Sequence, residues 1–212
     1  ILSAATLHVG LGQPNTSIRK ALEIAAAGDT VLVHEGHYSE GNLLIDKSLT
    51  LIGLNYPVLD GQHQNEIITV TASNVTIRGF EICNSGQLST IDLAGIKVLS
   101  ASHVSIEENR LRDCNFGIYL SDTEDSRVYH NDVQGIIKEE QNCGNGIHLW
   151  KCARAIIEGN HLTGHRDGIY FEFVTNSVIW RNISTQNIRY GLHFMFSNDD
   201  DYISNIFNNN GA

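Results

Sequence analysis

Two ladders of identical residues run through the second half of the chain in the same steps, and they restrict its fold more than any other feature. Gly95, Gly117, Gly146, Gly168 and Gly191 are separated by 22, 29, 22 and 23 residues, and Asn109, Asn131, Asn160, Asn182 and Asn205 by the same four intervals. A fixed period of this length marks a chain built from one structural unit, repeated and stacked on itself. The first and third residues after each glycine are apolar: Ile96/Val98, Ile118/Leu120, Ile147/Leu149, Ile169/Phe171 and Leu192/Phe194. This is the period-two alternation of a strand with one buried face, so these ten side chains are expected to point inward. Each period holds two or three such short strands separated by Asn or Gly corners. About 22 residues is then one coil, and the fold class expected is all-β, a right-handed parallel β-helix. The 29-residue step is one coil carrying a seven-residue excursion, placed around residues 135–141.

The first part of the chain fits the same plan. Ile18, Leu22 and Ala25 fall at helical spacing, with Asn15, Thr16 or Ser17 available as N-cap and Gly28 beyond the end, which predicts a capping helix within residues 15–28 that plugs the first coil. Residues 30–33, 49–52, 67–70 and 75–82 read as strands, and Phe80 extends the Asn column backwards. The whole of 1–212 is expected to be one β-helix domain. Because the pattern stops in mid-repeat with no cap, further C-terminal coils are expected to follow. No run approaches the ~20 apolar residues that a membrane-spanning helix needs.

Composition narrows the partners. Twenty asparagines and 19 glycines in 212 residues match a chain of many tight turns. The net charge of −10 repels polyanions, which argues against nucleic acid and acidic polysaccharides and leaves cations and neutral partners open. Four cysteines, Cys83, Cys114, Cys143 and Cys152, have no C-x-x-C spacing.

Equivalent residues of stacked coils lie ~4.8 Å apart and form columns, so chemistry can be sought in them. The second residue after the glycine runs Lys97, Tyr119, His148, Tyr170, His193, and the fourth runs Leu99, Ser121, Trp150, Glu172, Met195. Both are expected to face out as an exposed stripe. One reading is that these side chains merely cover a sheet face. The sharper reading starts from His193 and Met195, two residues apart on one strand. Imidazole and thioether together suit Cu(I), and the chain has a single Met. Glu172 is one coil away, and His148 stands two coils, ~9.6 Å, from His193. His193, Met195, Glu172 and His148 are therefore the candidate Cu(I) ligands, with Trp150, Tyr170, Tyr119, Arg166 and Asp167 as the surrounding ligand or partner surface.

Two other constellations compete. Three residues before the glycine stand Asp92, Cys114, Cys143, His165 and Ile188. Packing, a Cys114–Cys143 disulfide, and a Cys-Cys-His metal site are all open there. Asp167 and Glu172 supply carboxylates for acid/base chemistry, but ~16 Å of extended strand between them exceeds the ~5–9.5 Å of a glycosidase pair. Trp150 and Tyr170 could stack on a sugar, which keeps a carbohydrate-binding function open. The Asn ladder reads as structural, its amides bonded along the column and its backbone in the corner conformation.

The run from Asn15 to Tyr38, ending Gly28-Asp29-Thr30-Val31-Leu32-Val33-His34-Glu35-Gly36-His37-Tyr38, resembles the opening of many β-helix proteins of the carbohydrate-binding and sugar-hydrolase type. More specific are Gly146-Ile147-His148-Leu149-Trp150, His165-Arg166-Asp167-Gly168-Ile169-Tyr170-Phe171-Glu172-Phe173 and Arg189-Tyr190-Gly191-Leu192-His193-Phe194-Met195-Phe196. These resemble the NosD family of maturation proteins for nitrous oxide reductase. The resemblance implies a periplasmic, non-enzymatic accessory protein that works with an ABC transporter and a copper chaperone to assemble the copper–sulfide cluster of the reductase. The alternative class is a carbohydrate-binding or carbohydrate-active β-helix, whether lyase, hydrolase or epimerase.

Overall fold

The computed structural model describes residues 4–88 and 90–211, and these form a parallel β-helix. Three sheets of nine, seven and eight strands run the length of the stack, and every strand pairing between coils is parallel. The seven-stranded sheet carries the repeat glycines. Its strands are Leu43–Ile45, Ile68–Val70, Ala94–Leu99, Phe116–Ser121, Ile147–Trp150, Ile169–Glu172 and Leu192–Met195. Its register pairs Ile96 with Ile118, Ile118 with Ile147, Ile147 with Ile169 and Ile169 with Leu192, as the glycine spacing requires.

Eight of the ten predicted inward residues are fully buried in the continuous apolar core. Leu192 is only half-buried and Phe194 is 54% exposed, contrary to expectation. Their strand is at the end of the described sheet and is packed by a neighbouring coil on one side only.

The helix spans Ile18–Ile24 and buries Ile18, Ala21 and Leu22 against the first coils. Ser17 caps it, its Oγ accepting from Lys20 N at 3.2 Å, and the Glu40 carboxylate accepts from the backbone N–H groups of Ile18 and Arg19. At the other end Lys47 Nζ donates to the carbonyls of Leu22, Glu23 and Ala25, a cation placed where the helix dipole favours it. The helix therefore ends four residues before Gly28, which takes up the left-handed turn that follows.

The Asn ladder is built as a hydrogen-bonded column. Asn131 Oδ1 accepts from both the backbone N and the Nδ2 of Asn109, and Asn160, Asn182 and Asn205 repeat the arrangement upward at 2.9–3.1 Å. Phe80 occupies the column below, its N–H bound to Asn109 Oδ1. The corner conformation belongs to a different residue from the one expected. Glu108, His130, Gly159, Arg181 and Ser204, each immediately before a ladder Asn, hold φ between 53° and 62°. The Asn side chain satisfies the backbone that this reversal exposes.

A second left-handed column follows the seven-stranded sheet at Ser100, Asp122, Lys151, Phe173 and Phe196, with φ of 49–55°. Bulky residues are uncommon there. Phe173 and Phe196 stack on each other with ring centroids 5.1 Å apart and planes within 10°.

Two excursions precede strands of this sheet. One spans 135–146 and contains the 3-10 turn Glu140–Asn142, in agreement with the long repeat step. The other, described over 84–88 and 90–93, is absent from the sequence expectations, although Ile67 and Gly95 take equivalent positions 28 residues apart. The two are joined by Gln87 Nε2 donating to the Asn142 carbonyl at 2.7 Å.

Candidate functional site

The outer face of the seven-stranded sheet carries two interlocked columns. The residue before each glycine runs Phe116, Asn145, Asp167, Tyr190, and the second residue after it runs Tyr119, His148, Tyr170, His193. Parallel strands place the second set ring upon ring, with centroids 4.6 Å apart for Tyr119–His148, 4.8 Å for His148–Tyr170 and 4.8 Å for Tyr170–His193.

The column faces outward as expected, but it is not an exposed stripe. His148 is 7% exposed and Tyr170 8%, and Ser121 is buried too. His148 is sandwiched between two tyrosines, with Phe116 against its ring and Asn145 Nδ2 donating to its Nδ1 at 3.0 Å. Burial disfavours the imidazolium and pulls its pKa down to about 3, with the Arg166 charge adding to the effect. His148 is thus separated from His193 by Tyr170, and it does not join an accessible metal set.

Asp167 also departs from its expected place on a ligand surface. It is 0% exposed and serves the neighbouring side chains. Arg189 donates to it through Nε at 3.1 Å and Nη2 at 2.5 Å, and the Tyr190 N–H adds a third donor. His193 Nδ1 is 3.3 Å from Asp167 Oδ2. Arg189 Nη2, which spends one of its two hydrogens on Asp167 Oδ2, is 3.4 Å from the same nitrogen; with the imidazole proton on Nδ1, the ring donates to the carboxylate and keeps its lone pair on Nε2. Arg189 has its pKa raised, chiefly by the Asp167 hydrogen bonds, and its Nη1 reaches Glu140 of the long excursion at 3.4 Å. Arg189, Asn145 and Tyr190 were missed because they act through other residues.

His193, Met195 and Glu172 are neighbours as predicted. Tyr170 pairs with His193, and Glu172 with Met195. The Tyr170 hydroxyl donates to Met195 Sδ at 3.1 Å and so fixes the thioether beside the imidazole. The half-buried His193 imidazole is thus held by a buried carboxylate, with Met195 two residues further along the same strand. Among the described residues no group of three or more His, Cys, Asp or Glu side chains gathers around one point. Trp150 is half-buried under Lys151 Nζ, 4.1 Å from its ring, and Tyr119 lies under Lys97 Nζ at 5.4 Å. Arg166 is half-buried, its Nε 4.0 Å from Asp167 and without a hydrogen bond.

The column of Cys114, Cys143 and His165 forms neither a disulfide nor a ligand cluster. All four cysteines are free thiols. Cys114 lies in the core, where burial pushes its thiol up to about 12, while Cys143 accepts from Lys138 N at 3.3 Å on the excursion. His165 is buried with its pKa lowered to about 4 by desolvation.

Concavities lie beside this band and away from it. A cleft of about 430 Å³ opens between the two excursions, lined among others by Gln87, Asp92, Phe116, Gln141, Asn142 and Arg166. A slightly larger one, about 460 Å³, lies on the nine-stranded sheet around Arg154, whose charge is already met by Glu124 and Asp125.

The family model described as the right-handed β-helix region matches residues 65–212. The protein named "Probable ABC transporter binding protein NosD" of Pseudomonas aeruginosa is 32% identical over 167 residues, covering 77% of this chain. This chain is a NosD-like member of the right-handed β-helix family. It spans 39% of the length of that NosD, and 31% of the protein of the same name from Stutzerimonas stutzeri, to which it is 30% identical over 63% of its own length. Among solved structures, an alginate lyase from Paenibacillus sp. str. FPU-7 superposes on the NosD-like chain with a TM-score of 0.68, covering 94% of this chain and 76% of the lyase. At 16% identity that likeness shows the fold alone.

Proposed function

We propose that this chain is an ABC-transporter-associated accessory protein of the periplasm that carries Cu(I) as cargo for the maturation of nitrous oxide reductase, receiving it from a copper chaperone and catalysing no reaction of its own. The observation that carries this reading is the pairing of His193, held through Nδ1 by the buried Asp167, with Met195, held through sulfur by Tyr170. Nitrogen and thioether donors on one strand suit a soft monovalent ion, and a site with two protein donors can pass its ion on. Glu172 beside them supplies negative charge. The transporter association is supported by the name that the two NosD relatives share, probable ABC transporter binding protein. The test is an anaerobic Cu(I) competition titration against a colorimetric chelator, with the H193A/M195L double variant in parallel. One equivalent that is lost in the variant supports the reading, and retained affinity refutes it.

The cleft between the excursions favours a second reading, carbohydrate binding. Amide side chains, an aromatic floor at Phe116 and the opposed charges of Asp92 and Arg166 are the groups that hold sugar hydroxyls. Retention on a glycan array, abolished by F116A but not by H193A, would favour it over copper carriage.

A further inference from the structure

At the other end of the helix, far along the chain from His193, two imidazoles touch. His8 lies in the strand Thr6–Val9, and His34 directly follows the strand Thr30–Val33 that pairs with it. His8 Nδ1 and His34 Nε2 are 2.9 Å apart, with ring centroids at 5.2 Å and planes tilted by 38°. Both rings are half-buried, so an ion can reach them.

The backbone under each ring is pinned. His34 N donates to the Val9 carbonyl at 2.8 Å, Tyr38 Oη donates to the His34 carbonyl at 2.9 Å, and Asn15 binds the His8 carbonyl through both N and Nδ2. Gly10 completes the cradle. It holds φ of +151°, and a Cβ there would stand 2.9 Å from His34 Cβ, so any larger residue would displace the ring. The backbone thus holds the two rings side by side before any ligand arrives.

Imidazole nitrogens bound at about 2.05 Å in adjacent positions of a square or octahedral ion lie about 2.9 Å apart. The observed 2.9 Å is that of an N–H···N hydrogen bond between the rings, and an ion that replaces the shared proton needs the two nitrogens at this same spacing, with both rings turned toward it. We propose that His8 and His34 form a two-point imidazole site for a divalent transition-metal ion of the Cu²⁺ or Ni²⁺ type. Water or a partner's side chain fills the remaining positions, since no third His, Cys, Asp or Glu converges there among the described residues. The site is independent of His193 and Met195 in position, metal oxidation state and ligand set.

The test is calorimetric titration of the protein with Ni²⁺ and with Cu²⁺ at neutral pH, for the wild type, H8N, H34N and the double variant, with thermal melting of each without metal as the check on folding. The expected result is one equivalent bound by the wild type, weakened at least about tenfold in either single variant as one arm of the chelate is lost, with no further loss in the double variant. The H193A/M195L protein should bind Ni²⁺ as the wild type does, so this site and the Cu(I) site fail or stand separately. Should H8N or H34N fold poorly, Cu²⁺ broadening of wild-type amide resonances decides instead, and it should centre on residues 8–10 and 34. Unchanged affinity in folded H8N and H34N, broadening centred elsewhere, or no binding by folded wild type would each overturn the proposal.

Discussion

Replacing His148 by Gln should remove a defined part of the protein's sensitivity to acid. In the folded chain the His148 imidazole takes up a proton only near pH 3, and that of His165 near pH 4, whereas an unfolded imidazole does so near 6.5. Between these values the unfolded state binds more protons, so stability is fully present above pH 6.5 and is lost as the pH falls. Each such histidine costs about 1.4 kcal/mol per pH unit, or about 2 kcal/mol between pH 7.5 and 5.0 and about 4 kcal/mol for the pair. That is a large part of an ordinary domain's stability of about 5–15 kcal/mol. A Gln at 148 keeps an acceptor for the Asn145 amide but has nothing to titrate. Urea unfolding followed by circular dichroism at pH 7.5 and 5.0 measures the difference. The variant should be the less stable at pH 7.5, because it loses the stack between Tyr119 and Tyr170, and the gap should close by about 2 kcal/mol at pH 5.0. Every other titrating group cancels in the comparison. Parallel loss of stability in the two proteins would mean that His148 is not held neutral by burial, and the account of the outer face would be wrong.

Asn160→Ala should cost about 3 kcal/mol in urea unfolding, since it leaves the Asn131 donors, the Val128 carbonyl and its own place in the column unmatched. Asp167→Asn should weaken Cu(I) binding about 10- to 100-fold in the competition titration while leaving Met195 in place, because it removes the carboxylate that orients His193. Four thiols should titrate in denaturant without reductant, and Cys114 should stay unreactive in the folded protein, where its pKa is about 12; fewer than four thiols would restore the disulfide.

The coil was legible in the sequence because the solenoid repeats its demands. Each turn needs a small residue where Gly117 and Gly146 approach the next strand, apolar side chains at Ile118 and Ile147, and an amide at Asn131 and Asn160. The same residue types therefore return at one period, and their spacing alone sets the register of the seven-stranded sheet. It also brought His193, Met195 and Glu172 together, since neighbours in register are fixed once the period is known. What covers the outer face was not legible. Alternation points His148 away from the core and leaves Asp167 at the corner before Gly168, but their burial comes from side chains of neighbouring coils and from excursions that break the period. Arg189 clamps Asp167 only because stacking lays one coil ~4.8 Å from the next. The repeat determined which side chains meet the core. Only the tertiary structure decided which of the others meet water, because that depends on the irregular segments that no repeat describes.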